Sequence, residues 1–174
     1  SKFWALAGIK RRAACRRKTA GRSYKSHNRT MKTNITELSH FTTALQNYLA
    51  DYHPHLLSNE DFIKTRSEEA AQMYEEARQD GESIHSAMIL ANEVLFSGLW
   101  FSKYKTILSI MESDFLTIPE NKRPSFALKM LNRCKPIFDR YQIEDDFETR
   151  SEYSLLCWEL LGAIQNYIDT DGIQ

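Results

Sequence analysis

The sequence predicts an all-α protein, a compact multi-helical domain of about six helices with no sheet. Three observations carry that expectation. Apolar residues recur at spacings of three and four through most of the chain, the period of one helical face. No segment alternates apolar and polar residues for long enough to read as a strand. Six glycines and four prolines in 174 residues favour long, uninterrupted elements over many turns.

The first helix is expected over residues 34–53, where Ile35, Leu38, Phe41, Leu45, Tyr48, Leu49 and Tyr52 form one stripe. Asn34 with Glu37 has the form of a capping box, and Pro54 ends the element. Ser58 is the expected N-cap of the second helix, with Leu57 and Phe62 placed as a hydrophobic staple and Asp61 in the first turn. Gly81 supplies its left-handed stop. From Glu82 the pattern resumes as Ile84, Ala87, Met88, Ala91, Val94 and Leu95. Ile89, Leu90 and Phe96 fall off that stripe, so the third helix is expected to be central.

Ser102 is the N-cap of a fourth helix through Tyr104, Ile107, Leu108 and Met111. Pro119 and Pro124 bracket a loop. A fifth helix carries Phe126, Met130, Leu131 and Cys134, and Pro136 kinks or splits it before Ile137, Phe138 and Tyr141. After the acidic turn Glu144-Asp145-Asp146 a last helix is expected over 150–169, with Tyr153, Leu156, Cys157, Leu160, Leu161, Ile164, Tyr167 and Ile168 on its apolar stripe.

The net charge of zero conceals two unlike segments. Residues 1–30 carry ten Lys or Arg, including Arg11, Arg12, Arg16, Arg17 and Lys18, and no acid. The remaining 13 basic residues face all 23 acidic ones, so residues 31–174 have a net charge of −10. A boundary is therefore expected near Met31, between a basic extension (1–30) and one acidic helical domain (31–174). Three accounts of the extension stand. Arg11, Arg12, Arg16, Arg17 and Lys18 would contact phosphates if the segment is native. Its Arg-rich, acid-free composition also suits a transit peptide. The favoured account places the start of the working protein at Met31, followed by Lys-Thr-Asn and a clean helix start.

Known chemistry finds little purchase. Three widely spaced cysteines (Cys15, Cys134, Cys157) with no C-x-x-C pair favour a reducing, cytoplasmic setting over a disulfide scaffold or zinc ribbon. No apolar run reaches the roughly 18 residues that a membrane span needs. Two Glu-x-x-His pairs, Glu37–His40 and Glu82–His85, invite a di-metal reading. On a helical wheel His40 lies about 200° from Leu38 and Glu82 about 160° from Ile84, so both pairs are expected to face solvent. His53-Pro-His55 is read as a loop without a metal, since spacing offers no further ligands. Cys134 and Cys157 sit on apolar stripes as small hydrophobes, and no nucleophile elbow or glycine-rich phosphate loop is present.

The most distinctive stretch of the acidic part is 95–105, LFSGLWFSKYK. Trp100, Phe101, Lys103, Tyr104 and Lys105 make a candidate interaction patch, for a protein or for stacked bases. The favoured alternative is a helix corner, with Gly98 allowing close backbone contact, Ser102 capping and the rings filling the core. A segment of net charge −10 repels phosphate.

Residues 31–172 resemble a family of short, all-helical, uncharacterised proteins carried by conjugative transposons and related mobile elements of gut and oral anaerobic bacteria. The resemblance rests on Phe96-Ser97-Gly98-Leu99 with Phe101-Ser102-x-Tyr104. Ala70-Ala71-x-x-Tyr74-Glu75-x-Ala77-x-x-x-Gly81 and Ala91-Asn92-x-Val94-Leu95 add to it. These are packing motifs; they imply the fold and carry no catalytic residue. The expectation for function is a non-enzymatic protein acting through protein–protein contacts, as a homodimer or with another protein, without cofactor, metal or membrane. Nucleic-acid binding through residues 1–30 is the second reading. A third has the acidic surface mimic DNA to occupy a DNA-binding protein.

Overall fold

The computed structural model describes residues 35–172. Among them are seven α-helices and no strand, so the all-α expectation holds. The helices are α1 (Ile35–Tyr52), α2 (Glu60–Gln79), α3 (Ile84–Leu95), α4 (Lys103–Asp114), α5 (Arg123–Arg133), α6 (Lys135–Phe138) and α7 (Glu152–Asp171). Short 3₁₀ turns occupy Pro54–Leu56, Glu120–Lys122 and Phe147–Thr149. The basic run with Arg11, Arg12, Arg16, Arg17 and Lys18, the expected start at Met31, and Asn34 of the expected capping box lie outside the described residues. No helix among the described residues is long and apolar enough to cross a membrane.

Two hydrophobic cores are built in sequence order. Phe41, Leu45 and Leu49 from α1 meet Ile63, Ala70, Ala71, Tyr74 and Ala77 from α2 and Ala87, Ala91 and Leu95 from α3, with Leu99 closing the set. The second core takes Phe101, then Tyr104, Ile107, Leu108, Ile110 and Met111 of α4. Beyond them stand Phe126, Ala127 and Met130 of α5, Phe138 of α6, Phe147, and Leu156, Leu160, Ile164 and Tyr167 of α7. The divide falls between Leu99 and Phe101, within the stretch singled out in the sequence.

Local signals act where expected at several points. Gly81 has φ +89°, and the N–H groups of Gly81 and Glu82 donate to the carbonyls of Arg78 and Ala77, a Schellman closure of α2. The Ser102 hydroxyl accepts from the Lys105 N–H and so caps α4. Cys134 separates α5 from α6, which opens at Lys135 with Pro136 in its first turn, because the proline ring cannot sit within a continuing helix. That split is why the helices number seven rather than six.

Three expectations are corrected. Asn59, not Ser58, caps α2, its Oδ1 accepting from Phe62 N–H at 3.1 Å. Leu57 is exposed as a result, and the expected staple is out of register by one residue. Pro124 does not close a loop; it sits in the first turn of α5, where its missing N–H has no helical partner to lose. The third correction concerns α3, which is not central. Ala87, Ala91 and Leu95 face the core, while Ile84 is 62% exposed and Ile89 and Leu90 are also exposed. Its small buried residues let it lie close against α2, leaving the bulky ones outward.

Candidate functional site

The corner between the two cores is where the chain concentrates polar bonds between distant residues. At the end of α3 the Leu99 N–H bonds to the Phe96 carbonyl at 3.0 Å, with Gly98 at φ +76° inside the turn. Nothing lies within 4 Å of where a Gly98 Cβ would stand, so the glycine answers a backbone conformation, not the close contact expected from the sequence. Two carbonyls at the end of α3 also accept from α2. The Arg66 guanidinium donates to Val94 and Ser97, each at 2.9 Å.

The rest of the turn is held from both cores. The Tyr48 hydroxyl of α1 donates to the Leu99 carbonyl at 2.9 Å, and His53 Nε2 reaches the same oxygen at 2.8 Å. A carbonyl only accepts, so Nε2 carries the proton. From the other side, the Asp145 carboxylate accepts from Gly98 N–H at 3.0 Å and Trp100 N–H at 3.2 Å. Ser102, besides capping α4, donates to the Tyr52 carbonyl. The acidic turn is itself braced by Arg150, which pairs with Glu144 and with Asp146 at 3.0 Å.

On the outer side the corner carries an aromatic cluster. Tyr48 stacks on Tyr52 with ring centres 4.7 Å apart, Phe96 lies 4.8 Å from Tyr48, and Trp100 meets Phe96 edge-on at 5.8 Å. Lys105 Nζ stands 5.7 Å from the Tyr52 ring. Burial, aided by Tyr52 and acidic neighbours, pushes the Tyr48 phenol up to about 12, so it remains a donor at neutral pH.

The five residues of the sequence-derived patch divide here. Trp100 is 53% exposed, and Lys105 is half-buried beside Tyr52. Lys103 points the other way, with Nζ 5.4 Å from the Phe138 ring. Phe101 and Tyr104 are each only 5% exposed and belong to the second core, Phe101 meeting Phe147 edge-on at 5.3 Å. They cannot offer a contact surface. Tyr48, Tyr52, Phe96, His53 and Asp145 were missed, because their roles depend on residues some fifty positions away.

Beneath the corner lies a cleft of about 580 Å³ lined by His53, His55, Gly98, Phe101, Lys103 and Glu144 among others. Burial holds both imidazoles below the usual histidine range, and at His55 the neighbouring His53 and Lys103 reinforce it. Two of the acid–base groups here are already engaged, His53 on Leu99 and Asp145 on two backbone amides. Among the described residues no group of three or more His, Cys, Asp or Glu could hold a metal ion. His40 and His85 are both exposed, and Glu82 lies outside α3 altogether, so the second Glu-x-x-His pair does not share a helix. Cys134 is buried, its thiol pushed up to about 11 by burial, which keeps it protonated near neutral pH.

These features define a class: an all-α protein in which two helical cores meet at a hydrogen-bonded corner with an aromatic outer face. The chain belongs to the family described as a domain of unknown function, DUF1896, which matches residues 33–173. It is similar to the crystal structure of protein PG0816 from Porphyromonas gingivalis, with 36% sequence identity and a TM-score of 0.76 over 80% of this chain and 96% of that one. No curated protein matches it.

Proposed function

We propose that this is a non-enzymatic helical protein that acts through protein–protein contacts, as a homodimer or as an accessory of mobile-element functions in the cytoplasm. The observation that carries the reading is the outer face of the corner. Three aromatic rings, Tyr48, Tyr52 and Phe96, are gathered there with a half-exposed Trp100, and Lys105 stands at their edge, while the polar groups beneath are spent on holding the backbone. Tryptophan and tyrosine supply large contact area at low entropic cost and are enriched where proteins meet. The mobile-element part rests on the resemblance of residues 96–104 and the helices before them.

The test is co-purification from the source cell with tagged wild type and Trp100→Ala. A partner retained by wild type, lost by the variant and recovered again when the partner itself is tagged supports the reading. Recovery of neither a second copy nor another protein overturns it.

The ten basic residues of 1–30 favour a second reading, nucleic-acid binding through that segment. Salt-dependent DNA binding by the full chain but not by a chain starting at Met31 would support it. Equal binding by both would remove it.

A further inference from the structure

The outward face of α7 carries a feature that packing within the chain does not explain. Leu156, Leu160, Ile164 and Tyr167 face the core. On the opposite side Trp158 is 71% and Leu155 60% exposed. Gly162 lies on the same strip, about 20° around the helix from Leu155 and about 40° from Trp158. A glycine in mid-helix is less favourable than alanine, and nothing lies within 4 Å of where its Cβ would stand. Neither the turn geometry of this helix nor its own neighbours call for a glycine there.

We infer that this strip is the contact between two copies of the chain, with the two α7 helices antiparallel and Trp158 of each copy seated over Gly162 of the other. The strip presents a knob and a hole one turn apart. An antiparallel pair with its twofold axis level with Leu160 sets position 158 opposite 162, so a second copy fills both holes at once; an isologous contact needs that self-complementarity. The helix ends bear on it too. The last turn of α7 has Asp169 and Asp171 and no basic residue, the unfavourable sign for its own helix dipole. Its first turn lacks a side-chain cap, since Ser151 makes none, and it carries one acid, Glu152. In the pair, Asp169, about 20° from Gly162 and accepting from Gln165 at 2.8 Å, lies opposite the partner's Ser151 position. Glu159, beside the crossing, is neutralised by Arg140, and Asp171 pairs with Arg133 at 3.5 Å. The inference rests on the reading of the protein as one that works by protein contact, and it adds a second surface, apart from the Trp100 corner, with a second copy as its occupant.

Sedimentation equilibrium of the full chain tests it, comparing wild type with Trp158→Ala and Gly162→Leu. Wild type is expected to be dimeric, and each variant to weaken association by about tenfold or more. Gly162→Leu fills open space with a better helix former, so its thermal midpoint at monomeric concentrations should not fall. Loss of the dimer is then not loss of the fold. A double variant, Leu155→Cys with Gln165→Cys, should cross-link between chains on oxidation while either single variant does not. The two positions are about 15 Å apart along one helix and cannot bridge within it. A dimer unmoved by either variant overturns the α7 surface but leaves self-association standing. A wild type that stays monomeric at millimolar concentration overturns the inference and leaves the Trp100 test untouched.

Discussion

The α1–α3 core and the α4–α7 core are packed with different side chains. The first buries five alanines (Ala70, Ala71, Ala77, Ala87, Ala91) and two aromatics, Phe41 and Tyr74. The second buries one alanine, Ala127, and seven aromatics: Phe101, Tyr104, Phe115, Phe126, Phe138, Phe147 and Tyr167. Small residues let α2 and α3 approach as a tight hairpin; large ones hold α4, α5 and α7 around a thicker centre. The first core is therefore vulnerable to added volume and the second to lost volume. The corner joins the two, because its carbonyls and amides are bonded from both sides.

The largest expected effect comes from emptying the second core. Phe147→Ala removes a ring in edge-on contact with Phe101, Tyr141 and Tyr153 and should destabilise by about 3–5 kcal/mol in urea unfolding. A loss below about 1 kcal/mol would show that the site collapses freely and that the second core is not the volume-sensitive one. The reciprocal change is Ala91→Leu, which overfills the first core at the α2–α3 contact. It should destabilise by about 1–3 kcal/mol, and a neutral result would break the contrast. Ser102→Ala removes both the α4 cap and the bond to Tyr52, with an expected loss of about 1–2 kcal/mol.

Asp145→Ala should have a smaller effect on stability, about 1 kcal/mol, because the carboxylate is exposed and water replaces part of what it supplies. Its sharper readout is cooperativity. Far-UV circular dichroism and the fluorescence of Trp100, read with Trp4 and Trp158 replaced by Phe, should report one transition with Asp145 present and separate in the variant. Coincident transitions in both proteins would mean that apolar contact alone couples the cores.

The smallest effect is a pH dependence at His53. Burial lowers its pKa from 6.5 in the folded protein, so the unfolded chain takes up the proton first as pH falls. The stability it contributes is complete above about 6.5 and is lost as pH falls towards and through the folded value. His55 shifts in the same direction. His53→Gln keeps a donor for Leu99 but cannot titrate, so the fall in melting temperature between neutral and mildly acidic pH should shrink without vanishing. An unchanged pH slope would locate the dependence elsewhere.

Much of the fold was legible because local chemistry decides it. The stripes of α1, α4 and α7, the stop at Gly81, the cap at Ser102 and the break before Pro136 are each set by residues within one or two turns. The misreadings have equally local causes. Ser58 and Asn59 are adjacent and both can cap, so only the position of the first helical turn chooses between them. Helix α3 is apolar on more than one face; periodicity found the buried one, Ala87, Ala91 and Leu95, but could not say that the second, with Ile89 and Leu90, stays uncovered. The candidate site was the least legible part. Trp100 and Lys105 were singled out, but Phe101 and Tyr104 in the same stretch turned inward, and the partners from α1 and the acidic turn gave no signal.

By itself, then, the sequence determined that the chain is helical, where most helices start and stop, and which stripe of most of them is buried. These follow from propensity, capping and a period of 3.6 residues, all short-range. Only the tertiary structure decided that there are two cores and that Leu99 and Phe101 fall on opposite sides of the divide. It also turned Asp145 from a charge on a loop into a clamp on Gly98 and Trp100. A side-chain bond to a backbone group forty-five residues away leaves no periodic trace, because any residue has that backbone group to offer.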